Sequence, residues 1–150
     1  MLPETVSQKI SRGNDDDKNL IIPNRLDAYS ELLGIKVLEL SPGRAVVKMT
    51  LRPDMMNPHG TAHGGSIFSL ADTGLALASN SHGNEAVALN VNITYCRPGL
   101  VDTELIATVE EQNRTRSTGL YAIEVRREDG KLAASGQGSV FFTGKPFRGW

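Results

Sequence analysis

One stretch of this chain, between Gly65 and Gly83, constrains its fold more than any other. Small or apolar residues occupy almost every side of a helix drawn through it: Ile67, Phe68, Leu70, Ala71, Leu75, Ala76, Leu77 and Ala78. His82 in the last turn and Gly83 beyond it are typical of a helix C-terminus, which predicts a helix over residues 65–82 about 25 Å long. Because a helix that is apolar all round must be buried, the rest of the chain has to cover it.

Six runs with strand-like patterns surround this helix, two before it and four after it. They cover residues 35–40, 44–51, 86–95, 103–112, 117–128 and 131–143. Pro42-Gly43 and Asp129-Gly130 are turn pairs typical of hairpins. A short amphipathic helix over residues 24–33, capped by Gly34, precedes the first run. Most strands have no helix between them, so we predict an α+β fold in which an antiparallel sheet packs on one helix.

The run over residues 86–95 alternates most cleanly. Its larger apolar residues share one face of a strand: Val87, Leu89, Val91, Ile93 and Tyr95. The other face is small or polar, with Ala88, Asn90, Asn92 and Thr94. Because successive side chains of a strand point to opposite faces, we expect the first set to join the core.

Length, charge and cysteine content narrow the class of protein. The 150 residues predict a single domain over residues 24–150, preceded by a flexible or loosely docked arm over residues 1–23. A net charge of -1 without a basic block argues against a nucleic-acid partner. No apolar stretch is long enough to span a bilayer, and Met1 to Lys18 lacks the apolar core of a secretion signal. Cys96 is the only cysteine, so a reducing, cytoplasmic location is expected.

Asp72 is the only ionisable residue of the predicted helix before His82. An unpaired buried carboxylate costs several kcal/mol or has a raised pKa, so a partner or a function must offset its burial. When the helix is considered alone, a structural interpretation of Asp72 is as good as a functional one: the side chain bonds a loop amide or faces solvent.

The Gly64-Gly65 pair favours a functional interpretation. A helix N-terminus offers unpaired N–H groups and a partial positive charge, and glycine there lets a ligand approach the backbone, so an oxyanion hole can form. Gly65 and Asp72 are separated by about 10 Å along the helix axis, too far to act on one carbonyl carbon. If both serve one reaction, Asp72 must come from a second subunit, which predicts a site shared across a two-fold dimer.

Three rival sites are weaker. His59, His63 and Asp72 superficially resemble a metal site, but that spacing needs a helix and the nearby glycines indicate a loop, so no metal is predicted. The sequence after Gly64 lacks the last glycine of the G-x-S-x-G elbow of serine hydrolases, which makes Ser66 and Ser69 ordinary first-turn residues. Cys96, at the end of an apolar strand, is expected to be a small buried residue rather than a nucleophile.

Several separate motifs closely resemble the hotdog-fold acyl-CoA thioesterases of the phenylacetate-degradation, or PaaI-like, type. They are Asn57, His63-Gly64-Gly65, Phe68, Leu70-Ala71-Asp72-Thr73, Asn92-Ile93-Thr94-Tyr95, Arg97-Pro98-Gly99 and Arg116 with Thr118-Gly119. The resemblance covers about residues 25–143. It implies an antiparallel sheet wrapped round a long central helix, dimers that pair sheet edges and commonly associate again into tetramers, and thioester hydrolysis between subunits without a cofactor.

The resemblance also implies roles for individual residues. Asp72 would be the catalytic carboxylate, as general base or as nucleophile, and the N–H of Gly64 or Gly65 would polarise the thioester carbonyl. Asn57 would place the thioester or the water, and His63 would fix the loop and tune the carbonyl site. Further residues are substrate-binding candidates: Phe68 as a wall of the binding site, Arg97, Arg114 and Arg116 for the coenzyme A phosphates ahead of Lys145 and Arg148, and Thr118 and Gly119.

The chain departs from the family at Ala88. Many family members carry serine or threonine near the attacking water there, so Asn90 or a water would have to replace that hydroxyl. A non-catalytic acyl-CoA-binding module stays open as an alternative function. A hotdog hydratase fits less well. It needs an aspartate and a histidine that act together on a hydratase-type motif, and the sequence over residues 63–72 does not resemble one.

Overall fold

The computed structural model describes residues 22–150. Its elements, in chain order, are α1 (Ala28–Leu32), β1 (Lys36–Ser41), β2 (Arg44–Thr50), a single 3-10 turn (Pro53–Met55), α2 (Gly64–Asn80), β3 (Asn84–Tyr95), β4 (Glu104–Arg114), β5 (Thr118–Arg127) and β6 (Leu132–Pro146). Every predicted strand is present, and the two predicted hairpins join β1 to β2 and β5 to β6. The arm predicted for residues 1–23 lies, as far as residue 21, outside the described residues.

The six strands form one antiparallel sheet in the order β1-β2-β4-β5-β6-β3. Between β2 and β3 the chain runs through α2 and so passes from one side of the sheet to the opposite edge, where β3 pairs with β6. One face of the sheet packs on α2, whose Leu70, Leu75 and Leu77 are fully buried among strand residues. The predicted α+β fold with one central helix is therefore confirmed.

Polar side chains fasten the C-terminal end of α2 to the sheet. The hydroxyl of Ser81 accepts a hydrogen bond of 2.7 Å from the N–H of Gly43. His82 Nε2 lies 2.7 Å from Glu111 Oε2, which also accepts a bond of 2.9 Å from the buried phenol of Tyr121. The helix is thus held at this end by the turn after β1 and by β4.

The prediction that α2 is buried nearly all round is wrong along one stripe. Phe68, Ser69 and Asp72 are only half-buried, and Gly65 and Ala76 on the same side are exposed. The sheet covers a single side of the helix, and the short α1 reaches only part of the other. The stripe that stays open is the one that carries Asp72.

The predicted faces of β3 are interrupted by a bulge. The pairing register with β6 shifts between Ala88 and Asn90. The alternation of side chains between the two faces of the sheet is therefore reversed beyond Leu89. Ala88 pairs with the buried Val140, whereas Val87 and Leu89 are exposed, to 46% and 61% of their surface. Val91 and Ile93 pack against the core as predicted, but Val87 and Leu89 do not join it.

Helix α1 is shorter than the predicted span of residues 24–33. It begins after Asp27 because this carboxylate caps it, with Oδ2 accepting a bond of 3.0 Å from the N–H of Ser30. Ser30 and Tyr29 attach α1 to α2 through hydroxyl contacts of 3.1 Å with Thr73 and Ser69. Within the described part of the chain, no helix has the length and apolar character needed to cross a membrane.

Candidate active site

The N-terminus of α2 presents one backbone donor that has no partner in the described part of the chain. His63 is the N-cap, and its Nδ1 accepts a bond of 2.9 Å from the N–H of Gly65. The carbonyl of His63 accepts from the N–H of Ser66 at 2.9 Å. Among residues 22–150 the N–H of Gly64 has no partner. Of the two candidate donors to a carbonyl oxygen, Gly64 is therefore free and Gly65 is occupied.

Neither glycine of the pair has the positive φ that would explain it. Instead, each lies against a ring. A Cβ at Gly64 would lie 3.1 Å from the Tyr95 hydroxyl and ring, and one at Gly65 would lie 3.0 Å from Nδ1 of His63. The sequence argument assigned the glycines to the close approach of a ligand, whereas the structure shows that they make room for Tyr95 and His63.

A cleft of about 360 Å³ opens beside the free N–H of Gly64. It is lined by Asn57, Thr61, Ala62, Gly64, Ile67, Tyr95, Cys96, Arg97 and Pro98. Arg97 is exposed there and donates 3.2 Å to the carbonyl of Leu132. The cleft thus combines one backbone donor, one cation and a wall of mixed polar and apolar side chains.

Asn57 organises the loop that forms one side of this cleft. Its Oδ1 accepts from the N–H groups of His59 and Thr61, at 2.9 and 3.2 Å, and its Nδ2 donates 3.0 Å to the hydroxyl of Thr61. The side chain therefore holds the loop over residues 57–61 in shape while it faces the cleft. This contact set is compatible with a role in placing substrate or water.

Asp72 lies on the open stripe of α2 without a partner. Its carboxylate makes no hydrogen bond or ion pair with any of residues 22–150. Burial raises the pKa of this carboxyl above its ordinary value, and the negative charge of Asp27 at the start of α1 raises it further. A desolvated, unpaired carboxylate of this kind is a typical general base or nucleophile.

The two candidate catalytic groups do not meet within one chain. Gly64 and Asp72 are eight residues apart on α2, which separates them by about 12 Å along its axis. Asp72 does not line the cleft beside Gly64. A carbonyl carbon held at Gly64 is therefore out of reach of the Asp72 of the same chain.

The other predicted substrate-binding residues lie in three places. Phe68 is half-buried in a second groove, with Leu33 and Met55, on the other side of the α2 N-terminus. Ala88 and Asn90 are exposed on the edge strand β3. The remaining set lies around the β4–β5 turn: Arg114, Arg116, Thr118 and Gly119.

This turn is at the opposite end of the sheet from the cleft. Thr118 pairs with Phe141, which also pairs with Val87 near the start of β3, whereas Tyr95 at the cleft ends that strand. Val87 and Tyr95 are eight positions apart, which corresponds to about 27 Å along the strand. Arg114 stacks 4.9 Å over the ring of Phe142. Within one chain, Arg97 and Arg114 therefore cannot bind the same phosphate group.

The rival sites gain no support from the structure. No group of three metal-ligating side chains occurs within residues 22–150. The hydroxyls of Ser66 and Ser69 donate to the carbonyls of His63 and Gly65, as first-turn residues do. The expectation that Cys96 is buried is wrong, because the residue is exposed. Within residues 22–150 the one hydrogen-bond partner of the thiol is the Thr94 carbonyl, at 3.6 Å, and no base is bonded to it there.

Sequence reasoning missed one contact at this site, the contact made by Tyr95. The alternation of β3 placed it on a core face, yet 51% of it is exposed and its phenol donates 3.0 Å to the carbonyl of Gly64. The signal available in the sequence was its position at the end of a strand, directly before Cys96, Arg97 and Pro98 of the cleft.

Comparison with known proteins agrees with this geometry. The family model described as "Thioesterase superfamily" matches residues 59–134. The acyl-coenzyme A thioesterase PaaI of Escherichia coli K12 is 40% identical over 122 residues, which cover 81% of this chain and 83% of that protein. The solved E. coli PaaI protein from the phenylacetic acid degradation operon superimposes with a TM-score of 0.79 at 39% identity, covering 80% of this chain and 87% of that one.

A second similar structure was solved with coenzyme A. A hypothetical thioesterase protein from Streptococcus pneumoniae TIGR4, solved with coenzyme A, matches with a TM-score of 0.71 at 26% identity, over 74% of this chain and 87% of that one. The family match includes the α2 N-terminus, Asp72 and every lining residue of the cleft except Asn57. The resemblance noted from the sequence and the hotdog fold are confirmed, and the chain belongs to the thioesterase superfamily, among its hotdog-fold acyl-CoA thioesterases of the PaaI-like type.

Proposed function

We propose that this chain hydrolyses small acyl-CoA or aryl-CoA thioesters to the free acid and coenzyme A. The observation that carries the proposal is the pairing on one helix of a free N-terminal N–H at Gly64 with an unpartnered carboxylate of raised pKa at Asp72. The names of the similar proteins, PaaI acyl-coenzyme A thioesterase above all, support the same substrate class.

Each active site is formed by two chains. Gly64 is too far from the Asp72 of its own chain, so the carboxylate comes from a partner. The edge strand β3 is the proposed contact: its outer edge pairs with none of the other described strands, and Val87 and Leu89 lie exposed on it. An unpaired apolar edge of twelve residues is a surface for pairing with a second chain. We expect a homodimer that associates further into a tetramer.

Antiparallel pairing of two β3 strands also explains the scattered substrate-binding residues. It would bring the β4–β5 turn of the partner, with Arg114, Arg116, Thr118 and Gly119, towards the cleft that holds Arg97. Arginine binds phosphate oxygens through charge-assisted hydrogen bonds, so these side chains are suited to the coenzyme A end. Phe68 would then line the acyl side.

In the reaction, the Gly64 N–H donates to the thioester oxygen as it becomes an oxyanion. The partner's Asp72 either removes a proton from the attacking water or attacks the carbonyl carbon itself to form an anhydride, which water then cleaves. In both routes the C–S bond breaks and coenzyme A leaves as its thiolate. Asn57 keeps the loop of the cleft in place and, with Asn90 or water in place of the hydroxyl that Ala88 lacks, orients the attacking water.

The deciding experiment measures thiol release from a panel of acyl-CoA and aryl-CoA substrates by wild type and by Asp72→Ala. We expect turnover by the wild type and a loss of about 100- to 10,000-fold in the variant, the usual contribution of a general base. Undiminished turnover in Asp72→Ala would contradict the proposal. Binding of acyl-CoA by the wild type without thiol release would support the non-catalytic binding module instead.

A further inference from the structure

Tyr95 connects the end of β3 to the first residue of α2. Its Oη donates a hydrogen bond of 3.0 Å to the carbonyl of Gly64, and its ring lies where a side chain at residue 64 would be. Half of the residue is exposed, so burial of its ring contributes little. The specific feature of the contact is the hydrogen bond to the helix backbone.

The start of α2 needs such a contact because it begins with two glycines. Glycine loses more backbone freedom on folding than any other residue, which favours fraying of the first turn. The peptide between Gly64 and Gly65 is held at both ends: Tyr95 binds its oxygen, and Nδ1 of His63 binds its N–H at 2.9 Å. The preceding peptide is fixed by the bond from Ser66 to the carbonyl of His63.

Both peptides that flank Gly64 are thus fixed, while its own N–H has no partner among residues 22–150, in a residue that lines the cleft. We infer that Tyr95 is a positioning residue for catalysis: by holding the Gly64 carbonyl it keeps the first turn of α2, which carries the Gly64 N–H, in place. This inference rests on the proposed function, in which that N–H binds the oxyanion. Since an oxyanion donor acts mainly in the transition state, the phenol should affect kcat more than KM.

The test compares Tyr95→Phe with wild type on the best substrate of the panel. Loss of one hydrogen bond of ordinary strength should lower kcat about 5- to 10-fold and change KM less than about two-fold. Tyr121→Phe is the control, because it removes a phenol whose hydrogen bond, 2.9 Å to Glu111, lies at the C-terminal end of α2. The control should keep wild-type kcat even if its thermal midpoint falls, whereas Tyr95→Phe should keep the wild-type midpoint. In protein labelled with 15N-glycine, the Gly64 amide resonance should shift in Tyr95→Phe alone.

Three outcomes would overturn the inference while the wild type remains active: an unchanged kcat in Tyr95→Phe, a rise in KM alone, or an equal loss of kcat in Tyr121→Phe. A fall in thermal stability that parallels the fall in kcat would assign Tyr95 a structural role and overturn it too. A wild type that releases no thiol would instead refute the proposed function, so the two failures are distinguishable.

Discussion

Gly64 is the residue at which the proposed chemistry can be tested through the backbone. It occupies the first helical position, where the missing N–H of proline is tolerated, and His63 before it has an extended conformation (φ -59°, ψ 134°) that proline also allows. Gly64→Pro should therefore remove the donor and keep the helix. We expect a loss of about 100- to 1,000-fold in kcat, as for other oxyanion donors.

Gly64→Ala is the control for this change, because it adds the same Cβ beside Tyr95 but retains the N–H. Its kcat, measured with that of Gly64→Pro, should stay within about ten-fold of wild type, since the half-exposed Tyr95 ring can shift by a few tenths of an ångström. Equal losses in the two variants would show that the Cβ, and not the missing donor, is responsible.

Asp72 is expected to lower stability while it supports activity. Its pKa in the folded chain is raised above the ordinary value of 3.8, so the folded state binds protons more tightly than the unfolded state. The ionised carboxylate therefore destabilises the fold, fully so above the folded-state pKa and not at all below the unfolded one. Asp72→Asn should lower turnover about 100- to 10,000-fold, as expected for Asp72→Ala, and raise the thermal midpoint at pH 7.

Thermal unfolding measured across pH checks the sign of this effect. The difference between Asp72→Asn and wild type should shrink as the pH falls towards 3.8, because the wild-type carboxyl becomes neutral. A variant that is less stable than wild type at pH 7 would show that the carboxylate has a stabilising partner.

At the scale of elements, the packing of α1 on α2 adjusts the chemistry of Asp72. The N-cap of α1 is Asp27, and its charge contributes to the raised pKa of Asp72. Asparagine caps a helix as well as aspartate does, so Asp27→Asn should keep α1 and remove the charge. The pKa of Asp72 should fall, and the acid limb of the pH profile of kcat/KM should move to lower pH.

Asp102→Asn is the matched control for this shift. Asp102 is an exposed loop carboxylate at φ 61°, a conformation that asparagine tolerates, and it does not contribute to the shift at Asp72. The acid limb of the kcat/KM pH profile of Asp102→Asn should coincide with that of the wild type. An unmoved acid limb in Asp27→Asn would contradict the assignment of α1 as a regulator of this carboxylate.

At the scale of the whole molecule, the proposal requires that two chains complete each site. Co-expression of Asp72→Asn and Gly64→Pro chains, with different affinity tags, allows the mixed dimer to be isolated. It should contain one intact site, formed by Gly64 of the first chain and Asp72 of the second, and so show about half of wild-type activity. Light scattering should give a dimer or tetramer.

Dimers of each variant alone, carrying the same tags, are the controls and should be inactive. If each site lay within one chain, the mixed dimer would be as inactive as the two controls. A monomer of wild-type activity would likewise refute the shared site.

The sequence by itself determined the central helix, the six strands, both hairpins and the unusual carboxylate. Each of these follows from local periodicity or from turn residues such as Asp129-Gly130, which act on neighbours along the chain. The spacing of Gly65 and Asp72 was equally readable, because helix geometry converts sequence separation into distance.

Only the tertiary structure decided how distant segments meet. The bulge at Leu89 reversed the face of half a strand, because the pairing of β3 with β6 sets its register. The charge of Asp27 raises the pKa of Asp72 because α1 packs against α2. No local sequence pattern encodes this packing. Gly64 leaves room for the ring of a tyrosine 31 residues later, to which a Cβ at this position would approach within 3.1 Å. Contacts of this kind depend on the summed packing of the whole chain, and a pattern of neighbouring residues does not contain them.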